Sequence, residues 1–208
     1  MATARGFDDH PVLAWNFYIS RILAYQDTQP HRGYHALLKC LTDRKKDYFV
    51  VTSNVDGHFQ KAGYDPARVH EIHGDLRHVQ CKNMCSRQLY AMPVWEKTVE
   101  YLTDIPRCPR CNNILRPHVL MFSDPTFVWT NVDAGADRYR DWSAPKINVV
   151  GIEIGAGKVI PSIRQFGESR TSALIRINPH ESEPVRPWDT GIAATAVDGI
   201  DILINSLP

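Results

Sequence analysis

The sequence predicts an α/β fold built on a parallel sheet, carrying a small metal-stabilised insert. Three observations predict it. Short apolar, β-branched runs such as "YFVVT" (48–52) and "INVVGI" (147–152) recur between helix-patterned stretches, as when strands buried on both faces alternate with helices. The carboxyl ends of these runs read "SNVDG", "SD", "EIGAG" and "NPHE", small, polar or acidic residues at the place where such sheets bind ligands. Two close cysteine pairs, Cys81 with Cys85 and Cys108 with Cys111, then interrupt the pattern.

Taken in order, the first helix is expected over 8–25. Asp8 or Asp9 caps it, Pro11 suits its first turn, and Val12, Trp15, Ile19, Ile22 and Leu23 follow helical spacing. A second helix covers 32–42, and the "YFVVT" strand after it stops at the turn chemistry of "SNVDG". Further buried strands are expected at 118–122, 147–152 and 173–177, and a short helix at 93–102. A last helix fits 192–204, where Ala193, Ala196, Val197, Ile200, Leu203 and Ile204 make one stripe.

Composition narrows the function classes. A chain of 208 residues, 43% hydrophobic, holds one domain or a main domain with an insert. Lys+Arg 24 against Asp+Glu 23 gives no reason to expect a polyanion, so no nucleic-acid partner is predicted. The "DRKKD" cluster (43–47) reads as a solvated helix end. The apolar runs fall far short of the roughly 20 residues a membrane span needs, and "MATARGFDDH" lacks a secretory h-region. A soluble, intracellular protein with no membrane partner is the expectation.

The four paired cysteines carry the strongest chemical signal. Thiolate pairs on two tight turns supply a four-sulfur site for Zn2+ with no open position, so the metal is expected to be structural. Cys40 stands apart, as a small buried residue. Asn54 and Asp56 follow a strand, where a ligand would sit, though both residue types also favour ordinary turns. His73, in "EIHGD", lies where a neutral imidazole makes a good general base; His70 and His78 have no such setting and read as structural or surface residues. Gly155, Ala156 and Gly157 separate a strand from a helix in a way that aims backbone N–H groups at a phosphate. Asn178 ends another strand within reach of a ribose hydroxyl.

In this order the fragments "TSNVDGHFQKAG", "EIHGD", two cysteine pairs, "LRPHVLMFSD", a glycine-rich strand–helix turn and "INP" resemble the sirtuins, NAD-dependent protein-lysine deacylases. The likeness covers about residues 30 to 205. It implies a Rossmann-like parallel sheet with an inserted zinc-ribbon small domain, divided as 1–77, 78–115 and 116–208. It implies NAD and Zn2+ as cofactors, an acyl-lysine protein or peptide as partner, and release of nicotinamide and O-acyl-ADP-ribose. By the same resemblance His73 is the base that activates a ribose hydroxyl. Asn54 holds the nicotinamide ribose, Asp56 contacts the carboxamide, and Ser53 stands where the family has a longer amide. Gly155 and Ala156 serve the phosphates, Asn178 the adenosine ribose, and Val119 the acyl-lysine. Cys81, Cys85, Cys108 and Cys111 hold the zinc. The first strand, the "GAGxS" loop and the "GIPDFR" segment of the family have no counterpart in these residues, so the sheet is expected to lack its first strand. A zinc-containing binding protein without catalysis, or an NAD-consuming ADP-ribosyltransferase, are the alternatives.

Overall fold

The computed structural model describes residues 3–96, 101–102 and 104–207. In chain order the elements are α1 (Gly6–Asp9), α2 (Pro11–Asp27), α3 (Arg32–Asp43), β1 (Val50–Thr52), α4 (His58–Lys61), β2 (Val69–Glu71), β3 (Gly74–Cys81), β4 (Leu89–Ala91), β5 (Leu115–Val119), α5 (Thr130–Ser143), β6 (Val150–Ile154), α6 (Ser162–Arg170), β7 (Ala173–Ile177), β8 (Thr190–Ile192) and α7 (Ala196–Ser206). The chain divides into two compact units. One comprises Met1–Gln29, Asn54–His58 and Glu71–Ala136; the other comprises Pro30–Ser53, Phe59–His70 and Asp137–Pro208.

The first unit is built on an antiparallel sheet in the order β4-β3-β5. Its core joins Phe7, Trp15, Tyr18, Ile19 and Ile22 of the N-terminal helices to Leu76, Val79, Cys81 and Leu115 of the sheet. Trp15 fixes the docking, since its buried indole N–H donates to the Leu115 carbonyl at 2.8 Å. The helix expected over 8–25 is two helices, because His10 leaves helical geometry at φ −144° and Pro11 restarts the chain at the first turn of α2. Neither Arg5 nor His10, the residues before α1 and α2, caps its helix with its side chain, though the Thr3 hydroxyl accepts the Gly6 N–H at 3.2 Å.

The strand expected at 118–122 lies at 115–119 and pairs antiparallel with β3, outside the parallel sheet. The chain leaves the ladder after Val119. The Leu120 N–H donates to the His73 carbonyl, the Met121 N–H reaches the Asp124 carboxylate, and Ser123 turns at φ 52°. Of the helix expected at 93–102, residues 97–100 lie outside the described residues, and 93–96 and 101–102 are not helical.

The second unit holds the parallel sheet, in the order β6-β7-β8, and a separate two-stranded sheet of β1 and β2. β7 matches the expected 173–177, while β6 begins three residues later and ends two residues later than the expected 147–152. The strand expected over 48–52 is confined to 50–52 and is half-buried rather than covered on both faces. α7 starts at Ala196, because β8 takes up Thr190–Ile192 and Thr195 caps the helix with its hydroxyl. Ile200 and Leu203 of the expected stripe pack on Ile177, and Gly199 lets the helix approach: a Cβ there would lie 2.2 Å from the Ile177 side chain. Cys40 is buried, and Asp43 to Asp47 are exposed at the end of α3, both as the sequence implied. Among the described residues no helix is long and apolar enough to cross a membrane.

Candidate functional site

The first unit collects three segments far apart in sequence. Asn54, Val55 and Asp56 form the loop after β1, His73 and Gly74 the turn before β3, and Val119 and Leu120 the end of β5. Backbone hydrogen bonds stitch them together. The Leu76 N–H donates to the Val55 carbonyl at 3.1 Å, and the Leu120 N–H donates to the His73 carbonyl at 2.9 Å. Gly74 pairs with Val119 across the sheet. Only glycine fits at 74: φ is +78°, and a Cβ would stand 2.1 Å from the His118 carbonyl oxygen. His73 is thereby held at the end of β5 by its own main chain.

The walls of this region are charged and buried. One guanidinium nitrogen of Arg116 donates to both carboxylate oxygens of Asp124, at 2.7 and 2.8 Å, with both side chains fully buried. The same guanidinium donates to the Val119 carbonyl at 3.3 Å, so the pair shapes the strand exit as well as neutralising itself. Asp56 is half-buried; its carboxylate accepts the His58 N–H at 2.9 Å, the local turn bond its residue type favours. Asn54 is exposed.

Asp75 and His78 were missed as a pair by the reading of the sequence, which left His78 as structural or surface. The His78 Nδ1 lies 2.8 Å from the Asp75 carboxylate. Burial pushes the Asp75 carboxyl up, but the bonded His78 and the neighbouring Arg77 outweigh it and bring it down to about 2. The hydrogen bond to Asp75 raises His78 against the effect of its partial burial. An acid and a histidine three residues apart in "GDLRH" were the available signal; on a regular strand they would face opposite sides.

The four cysteines also lie in the first unit, with all four sulfurs within 4.8 Å of one another. Cys81 and Cys111 sulfurs are 3.5 Å apart, and those of Cys85 and Cys108 are 3.6 Å apart. A tetrahedron with Zn–S near 2.3 Å has edges of about 3.8 Å, so the donor set fits zinc with all four positions filled. Against its burial, the N–H groups of Cys111 and Arg110 lower the Cys108 thiol, while the crowding of neighbouring thiols raises Cys85 and Cys111, so one sulfur of the cluster is favoured as thiolate at the expense of the others. The four cysteines are positioned to hold a zinc ion.

The second unit contains Ser53, Gly155, Ala156 and Asn178. Gly155 turns at φ +70°, and its N–H donates to the Ile177 carbonyl at 2.9 Å, so backbone donors for a phosphate must come from its neighbours. A side chain at Gly155 or Gly157 would meet nothing within 4 Å, which leaves open space over the loop. The Asn178 carboxamide is engaged locally: it donates to the Ala156 carbonyl at 3.2 Å and accepts the N–H groups of His180 and Glu181 at 3.0 Å. Buried Arg164 fastens the same two loops, donating to the carbonyls of Ala156 at 2.9 Å and Glu181 at 2.7 Å.

Comparison with known proteins agrees with this geometry. The family model described as "Sir2 family" matches residues 1–137. An NAD-dependent protein deacylase of Aeropyrum pernix is 36% identical over 210 residues, covering 100% of this chain and 79% of that protein. One from Aquifex aeolicus is 28% identical over 207 residues, covering 96% of this chain and 78% of that protein. Among solved structures, a Sir2 homologue–NAD complex superposes with a TM-score of 0.71 at 23% identity, over 98% of this chain and 75% of that one. The α/β architecture with its parallel sheet is the Sir2 fold, and the chain belongs to the Sir2 family.

Proposed function

We propose that this protein is an NAD-dependent protein-lysine deacylase, which releases nicotinamide and transfers the acyl group to ADP-ribose. The observation that carries the reading is the backbone-pinned His73–Gly74 turn, bonded to Leu120 and paired with Val119 in the same unit as the Asn54–Asp56 loop. NAD supplies, when bound, a glycosidic bond whose cleavage builds positive charge on a ribose. The chain's part is to orient and to move one proton. His73 takes the proton from a ribose hydroxyl; an imidazole does this best near neutral pH. Asn54 and Ser53 orient the nicotinamide ribose, and Asp56 holds the carboxamide. Val119 lines the path of an acyl-lysine from a protein or peptide substrate. Gly155 and Ala156, with the open space above their loop, serve the phosphates, and Asn178 the adenosine ribose. In this reading residues 78–115 are the zinc module between two halves, 1–77 and 116–208. Cys81, Cys85, Cys108 and Cys111 would hold a zinc ion that ties these strand and turn ends together, and with four thiolates it would have no position left for chemistry.

The test is acetyl-peptide-dependent release of nicotinamide from NAD by zinc-loaded protein, with His73→Ala alongside. Release that requires the peptide and falls by about 10²–10⁴ in the variant supports the reading. No release from folded, zinc-bound wild type would overturn it in favour of a binding role, and release without peptide would indicate NAD hydrolysis.

A further inference from the structure

β3 does not pair evenly with β5. The strands align at Gly74 with Val119 and again at Val79 with Pro117, so β3 passes through Asp75, Leu76, Arg77 and His78 while β5 passes through His118 alone. The surplus is a bulge directly after the His73 turn. Bulges re-aim side chains, and they leave backbone groups that need other partners.

The Leu76 N–H finds the Val55 carbonyl and the Arg77 carbonyl accepts from the Met92 N–H, while Asp75 takes the Arg77 N–H and ties the bulge's side chains together. Its carboxylate, 4% exposed, accepts the Arg77 N–H at 2.8 Å, the Arg77 Nε at 3.1 Å and the His78 Nδ1 at 2.8 Å. Glu71, ahead of the turn, binds the other end of the Arg77 guanidinium. On the β5 side the bulge meets a rigid wall. His118 is fully buried, bonds the Val128 carbonyl through Nε2 at 2.9 Å, and stacks on Phe127 with 4.8 Å between ring centroids. Burial lowers that imidazole below the ordinary histidine value, against the bond to Val128. Its backbone carbonyl fills the space a Cβ would need at Gly74. The bulge therefore has one low-energy shape, and the Asp75 carboxylate closes it.

We propose that Asp75 is a positioning residue for His73: by closing the bulge it keeps Gly74 against Val119 and the His73 carbonyl on the Leu120 N–H. The inference rests on the reading of His73 as the catalytic base, and goes beyond it by assigning what aims that base. It distinguishes Asp75 from a residue that merely stabilises the sheet, because its loss disturbs one turn rather than the whole unit.

The experiment compares wild type, Asp75→Asn, His78→Gln, His78→Leu and His73→Ala as full, zinc-loaded chains. Two quantities are read: hydrogen exchange of the Leu120 amide against that of the Leu115 amide, which bonds the Pro106 carbonyl in the same unit, and kcat and KM for peptide-dependent nicotinamide release. In Asp75→Asn, Leu120 exchange rises by about tenfold while Leu115 exchange is unchanged. In the same variant kcat falls by roughly tenfold to a hundredfold with KM little altered. His78→Gln keeps an N–H donor for Asp75 and stays near wild type, whereas His78→Leu shifts toward Asp75→Asn. Unchanged Leu120 exchange and kcat in folded Asp75→Asn would overturn the proposal, as would a rise at Leu120 matched at Leu115. If Asp75→Asn fails to fold, the two His78 variants decide by the same readings. Full activity in His73→Ala would sink the reading of the base, while Leu120 exchange still reports whether Asp75 holds the turn.

Discussion

Two of the loops that follow strands in this molecule are held differently. The turn carrying His73 is fixed by main-chain bonds to Leu120 and by close packing of Gly74 on His118. The loop carrying Gly155 to Gly157 has one main-chain bond, from Gly155 to the Ile177 carbonyl, and is otherwise fastened by Arg164 and Asn178 on the Ala156 carbonyl, with open space beside Gly155 and Gly157. The first tolerates no added atom; the second has room for a ligand. In the proposed reading, the base sits on the tightly packed turn and the phosphates lie over the loop with open space.

The sharpest way to break this comparison is to add one methyl group to each loop. Gly74→Ala forces a Cβ into the His118 carbonyl at positive φ, and should destabilise by more than about 4 kcal/mol or prevent folding, seen as loss of the denaturant transition. Gly157→Ala meets open space at an ordinary φ, and should change stability by no more than about 1 kcal/mol. Equal effects would mean that the two loops are constrained alike.

A smaller contrast concerns the arginines. Asp124→Ala leaves the fully buried Arg116 charge unpaired and should lower stability by about 3–5 kcal/mol in chemical denaturation. Arg164→Ala removes bonds to two loop carbonyls and should lower it by about 1–3 kcal/mol.

The smallest effect is in pH. Asp75 has its folded pKa depressed to about 2 from 3.8, so its stabilisation is present above about pH 4 and lost as pH falls through 2. The depression corresponds to about 2 kcal/mol. His78 is shifted up from 6.5, so its share is complete below 6.5 and lost as pH rises through its folded value. A stability-against-pH curve should therefore flatten between about 4 and 6.5, and the acid arm should shrink in Asp75→Asn.

The elements legible in the sequence were those with local signatures. β7 is a short, largely apolar run, "ALIRI", placed to the residue, and the spacing of the four cysteines marked a zinc site whose sulfurs do converge. β5 was misplaced because the unbroken apolar run, "VLMF" (119–122), lies mostly beyond a strand that itself contains Arg116 and His118; the boundary is set by Leu120 turning its N–H to His73, a contact 47 positions away. The dyad of Asp75 and His78 was invisible for a related reason. On a regular strand the two residues point to opposite faces, and only the bulge brings them together.

The sequence by itself determined the class of fold, the metal-binding cysteines and the family, since each rests on residue types at fixed spacing along the chain. The tertiary structure decided that β5 leaves the parallel sheet and pairs antiparallel with β3, that Gly155 spends its N–H on Ile177, and that Asp75 closes the bulge behind His73. Those outcomes depend on which distant backbone group is in reach of an unpaired N–H or carboxylate, and spacing along one segment carries no record of that.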